Sequence, residues 1–398
     1  MALSKNVMKV QPSATLAMSA KTKALIAKGV DVVNLSIGEP DFVTPEYIQE
    51  AAIEAIRSGK TSFYTAAGGL PELKTAISQR IEAETGVHYD NKQIIATTGA
   101  KFALYLIFQV ILNPGDEVLL PAPFWVSYAE QVNLASGRPL AVKTTGAGHK
   151  VTVEDLEKAR SPRTKALVLN SPQNPSGLIY TAEELTAIGN WAVSHDVLVI
   201  SDEIYSNLVY NGNQFVSVVS LSEAIRKNTL LVTGVSKTYA MTGWRMGYVL
   251  GNPAIIKAMT TVASHATGNP TAVTQYATIA ALNGSQADAE KMRQAFEHRL
   301  NYLFPKIQSL PGFELDEKPQ GAFYLFPNVK RAVELCGYST TEAFVEALLE
   351  EAYVAVVPGR AFGQPDHIRI SYANDLDSLT QAYQRIADFI QTKGNMDA

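Results

Sequence analysis

Cysteine is almost absent from this sequence of 398 residues, because Cys336 is its single one. One cysteine allows no intramolecular disulfide and no cysteine-based zinc site, and we predict no metal site. Such sparing use of cysteine is typical of proteins in a reducing compartment. We therefore expect a cytoplasmic protein.

Long apolar runs are also missing from the chain. No stretch approaches the roughly 20 apolar residues that a membrane-spanning helix needs. The N-terminal stretch MALSKNVMKV has no apolar core like that of a secretory signal. The sequence therefore predicts no membrane association.

A block of basic charge is lacking as well. The 34 basic and 38 acidic residues give a net charge of −4, without the clustered positive charge that is typical of nucleic-acid binding. No Gly-x-Gly-x-x-Gly follows a predicted strand, which argues against a nicotinamide-dependent dehydrogenase. We expect no nucleic-acid partner.

The middle of the chain alternates short apolar runs with longer amphipathic stretches. This alternation is typical of an α/β fold in which helices cover both faces of a mostly parallel sheet. The predicted strands are Ile94–Thr97, Glu117–Leu120, Lys165–Asn170, Val197–Ser201 and Thr229–Thr233. The predicted helices are Lys101–Leu112, Phe124–Ala135, Ala182–His195 and Pro253–Ser264.

The C-terminal part has a different pattern, which predicts a second, smaller α+β domain. Helices are predicted at Arg293–Leu310 and Thr341–Ala352, and short strands at Phe323–Pro327, Ala355–Pro358 and His367–Ser371. We expect a large domain over residues 36–290 and a small domain formed by residues 1–35 and 291–398.

Lys237 follows the apolar run Thr229–Thr233, which predicts a buried strand that stops at Gly234. Burying a lysine is unfavourable unless its charge is compensated or removed. A buried amine loses its proton more readily and can attack a carbonyl to form a Schiff base. Arg245 supplies a second cation eight residues further on.

Polar residues also follow two other predicted strands. Asn174 follows Lys165–Asn170, and Asp202 and Tyr205 follow Val197–Ser201. Because the carboxyl ends of parallel strands meet at one edge of a sheet, these side chains are expected to converge with Lys237. A Schiff-base lysine and an aspartate for a pyridinium nitrogen are the protein groups that pyridoxal-phosphate chemistry requires.

A phosphate group needs its own binding site. The segment Thr97-Thr98-Gly99-Ala100-Lys101 lies between a predicted strand and a predicted helix, where backbone N–H groups point at an anion. Arg245 would add a bidentate contact to the phosphate. Trp125 follows another strand end and could stack on a planar ring.

Together these residues resemble those of the class I aminotransferases, which depend on pyridoxal phosphate and have fold type I. The segment GVSKTYAMTGWRMG (234–247) matches the family's lysine attachment pattern at every restricted position. Other family landmarks follow in order: SIGEPD (36–41), YTAAGGLPEL (64–73), TTGAK (97–101), NSPQNPSG (170–177), SDEIY (201–205), GAFY (321–324) and RISYA (369–373). The resemblance covers nearly the whole chain. It implies a large domain with a mostly parallel, seven-stranded sheet between helices, plus a smaller α+β domain.

The resemblance also implies roles for cofactor-binding residues. Lys237 would hold the cofactor as an internal aldimine and then move a proton between substrate and cofactor. Asp202 would pair with the pyridine nitrogen, and Tyr205 and Asn174 would contact the phenolic oxygen. The remaining cofactor contacts would come from Gly99, Ala100, Lys101, Ser236 and Arg245 at the phosphate, and from Trp125 at the ring. Gly234 stands where the family has a second phosphate-side serine, which leaves the phosphate contacts incompletely defined.

Further roles concern the substrate and the partner subunit. Arg369 would bind the substrate α-carboxylate, helped by Asn174, Trp125 and the Gly38 backbone. Tyr64 resembles the tyrosine that reaches the phosphate of the partner subunit. The resemblance therefore implies a homodimer with shared active sites.

Within the family, the sequence is most similar to aspartate aminotransferases of subgroup Ib, which carry Pro-Ser-Ala-Thr (here 12–15) and Gly-x-Lys (here 99–101). There the substrate's distal carboxylate faces the positions of Lys101, Ser13 and Thr15. A cation in a first helical turn opposes the helix dipole, which an anion bound there would offset. Relatives that accept prephenate tend to have Lys or Arg at the position of Gln11. We therefore expect L-aspartate and 2-oxoglutarate as substrates, with weak or absent prephenate activity.

Other functions remain open at this stage. An aromatic or alanine aminotransferase and a pyridoxal-phosphate-dependent β-lyase would use the same fold. A cofactor-binding regulator would carry an added DNA-binding module, for which the chain has neither room nor basic charge.

Overall fold

The computed structural model describes residues 7–11 and 14–394. Its strands are, in chain order, β1 (Val33–Asn34), β2 (Ile94–Thr97), β3 (Glu117–Ala122), β4 (Arg138–Lys143), β5 (Thr164–Asn170), β6 (Leu198–Asp202), β7 (Thr229–Gly234), β8 (Gly247–Leu250), β9 (Tyr324–Leu325), β10 (Val354–Ala355), β11 (Val357–Pro358) and β12 (Ile368–Ser371).

The α-helices of the described residues surround these strands. They are α1 (Ala14–Ile26), α2 (Glu46–Arg57), α3 (Pro71–Thr85), α4 (Ala100–Ile111), α5 (Ser127–Leu134), α6 (Val153–Ala159), α7 (Ala182–Ser194), α8 (Glu223–Lys227), α9 (Pro253–Ala266), α10 (Ala272–Asn283), α11 (Ala287–Gln308), α12 (Lys330–Leu335), α13 (Thr341–Glu350) and α14 (Leu376–Gly394). None of them is long and apolar enough to cross a membrane.

The central sheet has seven strands in the order β2-β8-β7-β6-β5-β3-β4. All neighbouring pairs are parallel except those of β8, which runs antiparallel to β7 and to β2. The predicted strands of this sheet are confirmed within two residues at each end. β4 and β8 were missing from the prediction: β4 is mostly exposed or half-buried and carries charged ends, and β8 follows the polar segment after Lys237 too closely to be recognised as a separate run.

Strand register places the residues that follow β5, β6 and β7 at one edge of the sheet. Asn170 is paired with Asp202, and Asp202 with Val232. At the end of β7, Gly234 faces Gly247, and a Cβ atom on Gly234 would lie 2.8 Å from the Gly247 Cα. The close approach of these two strands therefore leaves no room for a serine side chain at position 234.

Two small sheets lie outside the central one. β1 pairs with β10, and β11, β12 and β9 form an antiparallel sheet in that order. The predicted strand Ala355–Pro358 is wrong as a single unit, because its residues are divided between β10 in one sheet and β11 in the other. A hydrophobic cluster joins these sheets to α11, α13 and α14, with Phe296, Phe323 and Phe344 fully buried.

Two predicted helix starts are also wrong. The helix predicted from Phe124 begins at Ser127, after Trp125 and Val126, because Pro123 and the exit from β3 occupy the preceding turn. The helix predicted from Arg293 begins at Ala287, where Asp288 and Glu290 lie in the first turn. Acidic residues are favourable there because they complement the helix dipole.

Candidate active site

A cavity of about 590 Å³ opens at the carboxyl edge of β5, β6 and β7. Its walls come from the central sheet, from α1 and α4, and from β9 and β12. Most of the residues predicted from the sequence line it: Gly38, Ala100, Lys101, Trp125, Asn174, Asp202, Tyr205, Ser236, Lys237, Arg245 and Arg369.

Lys237 lies in the turn after β7 and points its amine into this cavity. The amine donates a hydrogen bond to the Gly38 carbonyl. Burial lowers the pKa of Lys237 to about 8, and the positive charges of Arg369 and Arg245 act in the same direction, against Glu39. A substantial fraction of the amine is therefore neutral near pH 8 and able to act as a nucleophile or base.

Asp202 ends β6 and is buried, with an exposed fraction of 4%. Its Oδ2 accepts a hydrogen bond of 2.7 Å from the Tyr128 hydroxyl, and its Oδ1 accepts one of 3.2 Å from the Ile204 N–H. Burial raises the pKa of the carboxyl to about 6, although the Tyr128 hydrogen bond opposes this shift. A buried carboxylate of this kind can pair with a protonated ring nitrogen.

Tyr205 is buried beside Asp202, and its hydroxyl lies 2.9 Å from the hydroxyl of Tyr324. Asn174 is also buried, and its side-chain oxygen accepts a hydrogen bond of 3.1 Å from Arg369. Both side chains line the cavity on the side of the sheet edge. They therefore border the volume that is open to a bound ring.

The N-terminus of α4 forms one end of the cavity. Helix α4 begins after Gly99, which has a φ of 86° and no side chain to cap the first-turn N–H groups. A Cβ atom at Gly99 would lie 2.5 Å from Nη2 of Arg245, so the guanidinium packs directly on this glycine. Helix N–H groups together with an arginine form a site for a phosphate. Ser236 lines the same cavity.

Arg369, in β12, is 3% exposed. It donates hydrogen bonds to Asn174 at 3.1 Å and to the Ser36 carbonyl at 2.7 Å. Its Nε has no hydrogen-bond partner among the residues that the structure describes. A buried guanidinium with a donor left over is suited to bind a carboxylate.

Lys101 and Trp125 form another part of the wall. The Lys101 amine lies 5.0 Å from the centre of a Trp125 ring, at cation–π distance. Desolvation lowers the pKa of Lys101, and the charge of Arg245 adds to this effect. An anion bound beside Lys101 would relieve both unfavourable contributions.

Not every predicted residue lies at the cavity. Tyr64 is 98% exposed on the loop between α2 and α3 and does not line it. Ser13 and the side chain of Thr15 lie outside the described residues. Thr15 belongs to α1, from which Ser19 and Lys23 line the cavity.

Comparison with known proteins identifies the family to which this chain belongs. Residues 30–386 match the family model of the aminotransferases of class I and II. The chain belongs to the class I and II aminotransferases. A protein of Bacillus subtilis named aspartate aminotransferase is 50% identical over 98% of the chain and 99% of its own length. A protein of Streptococcus mutans named asparagine–oxo-acid transaminase is 53% identical over 98% and 99%.

Solved structures agree with this family. The aspartate aminotransferase of Thermus thermophilus with maleate has a TM-score of 0.92 and 41% identity, over 98% of the chain and all of its own. The aspartate aminotransferase of Rhizobium meliloti has a TM-score of 0.92 and 38% identity, over 98% and 99% of the two chains. The predicted fold class, fold type I, is therefore confirmed.

This aminotransferase depends on pyridoxal phosphate, as its family does, and the residues of the cavity fit that cofactor. The amine with a depressed pKa, the buried carboxyl and the uncapped helix N-terminus beside Arg245 match its aldehyde, its ring nitrogen and its phosphate. The predicted cofactor is therefore confirmed, whereas the roles of individual residues stay predictions.

Some residues of the aminotransferase cavity were not identified from the sequence. Tyr128 contacts Asp202 from α5, and Tyr324 contacts Tyr205 from β9. Tyr324 belongs to the landmark GAFY, so a signal existed for it. Tyr128 lies three residues after Trp125. This spacing indicates where the Tyr128 side chain points only when the start of the helix is already known.

Proposed function

We propose that this aminotransferase is an aspartate aminotransferase, which transfers the amino group of L-aspartate to 2-oxoglutarate and releases oxaloacetate and L-glutamate in a ping-pong reaction. The observation that carries the proposal is that Arg369 and Lys101 line the cavity in addition to Lys237 and Arg245, the cations proposed to bind the cofactor. A dicarboxylate substrate needs two such anchors, one for each carboxylate. The names of the Bacillus subtilis and Thermus thermophilus relatives support the same substrate.

The substrate would be oriented by its two carboxylates. Arg369 would bind the α-carboxylate, with Asn174 and the Gly38 backbone completing the contact. Lys101 would bind the distal carboxylate at the N-terminus of α4, together with Ser13 and Thr15. Fixing both ends holds the Cα–H bond toward Lys237, which is the main benefit of such positioning.

Bound pyridoxal phosphate supplies a conjugated ring that accepts the electron pair of the broken Cα–H bond. Lys237 would first hold the cofactor and then, as a neutral amine, take the proton from Cα and deliver it to the cofactor side. Asp202 would keep the ring nitrogen protonated, and Tyr205 and Asn174 would donate to the phenolic oxygen. The backbone N–H groups of Ala100 and Lys101 would hold the phosphate together with Ser236 and Arg245. Gly99 would allow the close approach, and Trp125 would cover the ring.

We further propose a cytoplasmic homodimer in which each subunit completes the site of the other. Tyr64 and Phe63 are 98% and 79% exposed on one loop, an unfavourable placement for aromatic side chains in a monomer. Burial against a second copy, with the Tyr64 hydroxyl at the partner's phosphate site, would explain this exposure. The proposed domains are residues 36–290 and residues 1–35 with 291–398.

A second candidate is transamination of L-asparagine, which the name of the Streptococcus mutans relative favours. An amide is uncharged, so it would gain much less than a carboxylate from Lys101. We therefore expect asparagine to be the poorer substrate.

A substrate panel tests the proposed function. The purified protein with pyridoxal phosphate and 2-oxoglutarate is given L-aspartate, L-asparagine, L-phenylalanine or L-alanine, and L-glutamate formation is measured. We expect kcat/KM for aspartate to exceed the others by at least about tenfold, the effect of one charged contact. Faster reaction of phenylalanine or alanine would contradict the proposal. Release of pyruvate and ammonia from cystathionine without an oxo acid would indicate a β-lyase instead.

A further inference from the structure

Tyr324 contacts Tyr205, Arg369 and Gly38, which belong to three different parts of the cavity wall. It is fully buried at the start of β9, beside β12, and lines the cavity. Its hydroxyl lies 2.9 Å from that of Tyr205. The centre of its ring lies 4.5 Å from the guanidinium carbon of Arg369.

Tyr324 also touches the segment that contacts Lys237. A Cβ atom on Gly38 would lie 2.7 Å from the Tyr324 hydroxyl, so this glycine has no room for a side chain. The Gly38 carbonyl accepts the hydrogen bond from Lys237. The neighbouring Ser36 carbonyl accepts one from Arg369. Tyr324 thus packs against the glycine whose carbonyl binds the amine, two residues from the serine whose carbonyl binds the guanidinium.

We propose that Tyr324 is a positioning residue that ties the carboxylate-binding Arg369 to the cofactor-facing Tyr205. The inference rests on the proposed function for the roles of those two residues. The Tyr324 ring holds the guanidinium in place, and its hydroxyl holds the hydroxyl of Tyr205. The two contacts use different parts of one side chain, so they can be removed separately.

The direction of the hydroxyl hydrogen bond follows from counting protons. A tyrosine hydroxyl has one proton to donate and two lone pairs that accept. When Tyr205 donates its proton to the phenolic oxygen of the cofactor, it can only accept from Tyr324. Tyr324 therefore donates, and this polarises the Tyr205 hydroxyl and makes it a stronger donor.

Removing the hydroxyl has a predictable spectroscopic effect. In Y324F the hydrogen bond from Tyr205 to the phenolic oxygen is weaker, so more negative charge stays on that oxygen. The proton on the Lys237 nitrogen, which lies beside that oxygen when the cofactor is bound, is then lost only at a higher pH. We expect the pH midpoint of the visible absorption change of the pyridoxal-phosphate-loaded protein to rise by about 0.5 unit, a threefold gain in proton affinity.

Removing the ring affects carboxylate binding. Y324F keeps the ring under Arg369, so its affinity for the unreactive dicarboxylate maleate should stay within about twofold of the unmodified protein. Y324L loses the ring, and we expect maleate to bind about tenfold more weakly. Y324L should also show the shifted midpoint.

Tyr372 provides the matched control. It is equally buried, and its hydroxyl donates to the Ala322 carbonyl at 3.3 Å, but it does not line the cavity. Y372F should therefore leave the midpoint and the maleate affinity unchanged. An equal midpoint shift in Y372F and Y324F would overturn the proposal, because it would show a general effect of losing a buried hydroxyl.

The experiment is a double-mutant cycle on the loaded protein, with absorption followed from pH 5 to 10. If Tyr324 acts through Tyr205, Y324F should shift the midpoint in the unmodified background and have no further effect in Y205F. An unshifted Y324F, or a shift that persists in Y205F, would overturn the proposal. These midpoints are measured without turnover. A preference for another amino acid would therefore contradict the proposed function without contradicting the role of Tyr324.

Discussion

The Tyr128 hydroxyl donates a hydrogen bond of 2.7 Å to Oδ2 of Asp202, inside the protein and away from bulk solvent. The contact joins the second residue of α5 to the last residue of β6. Asp202 also accepts the Ile204 N–H on its other oxygen, so both carboxylate oxygens have a donor. The carboxylate is thereby held in one orientation at the cavity wall.

Replacing Tyr128 by phenylalanine should lower kcat about tenfold, the effect expected when a hydrogen bond to a charged group is lost. The remaining carboxylate is less well stabilised, so its pKa rises above the value of about 6 that burial already gives it. The measurement is kcat for aspartate as a function of pH. Its acidic limb should move to higher pH in Y128F.

Tyr180 is the control for that variant. It is buried, its hydroxyl accepts the Val151 N–H at 3.1 Å, and neither residue lines the cavity. Y180F should keep the original pH profile. If both variants lose activity without any change of profile, Tyr128 has only a structural role.

Lys101 should determine the preference for dicarboxylates. In K101Q the side chain is one atom shorter, stays polar and loses its charge, so kcat/KM for aspartate should fall about ten- to a hundredfold. The value for alanine, which has no distal carboxylate, should change little. The measurement is the ratio of the two specificity constants, and an equal loss for both substrates would assign Lys101 to the cofactor phosphate alone.

Glu203 should make the stability of the cofactor-free protein depend on pH. It is 3% exposed, and Ser201 and the Val218 N–H donate to its Oε1 at 2.8 and 3.2 Å. Burial raises its pKa to about 7 from 4.5. The unfolded chain therefore loses this proton first as the pH rises. Glu203 alone should lower the free energy of unfolding by about 3 kcal/mol between pH 4.5 and 7.

The variant E203Q should remove that contribution, because glutamine does not ionise, and should leave the smaller fall that Asp202 causes below pH 6. The measurement is the urea midpoint of unfolding from pH 4 to 8 at one protein concentration. E154Q, which alters a carboxylate paired with Lys158 at the surface, should keep the original dependence. The interpretation is wrong if E203Q and the unmodified protein lose stability in parallel.

The cofactor-free protein should capture pyridoxal phosphate faster as Lys237 loses its proton. Only the neutral amine forms a Schiff base, and the pKa of Lys237 is about 8. The rate should rise about tenfold from pH 6 to 7 and level off above pH 8. Stopped-flow absorption gives this rate. Free Nα-acetyl-lysine, with an ordinary amine, should show a rate that still rises beyond pH 9, and the same behaviour in the protein would contradict a depressed pKa.

The sequence predicted those parts of the site that depend on local order along the chain. Asn174, Asp202 and Lys237 each follow a recognisable strand, and parallel strands bring their carboxyl ends together. The hydrogen bonds of Tyr128 and Tyr324 span 74 and 119 residues, which no local pattern encodes. β8 escaped notice because it directly follows the polar segment after Lys237.

The central claim is that Lys237 and its cavity carry out half of a transamination with aspartate alone. The direct measurement is the absorption spectrum of the pyridoxal-phosphate-loaded protein during titration with L-aspartate in the absence of any oxo acid. We predict that the visible band disappears with one oxaloacetate formed per site, that 2-oxoglutarate restores it, and that K237A shows neither change. A loaded protein without a visible band, or a band that L-aspartate leaves unchanged, would contradict the account.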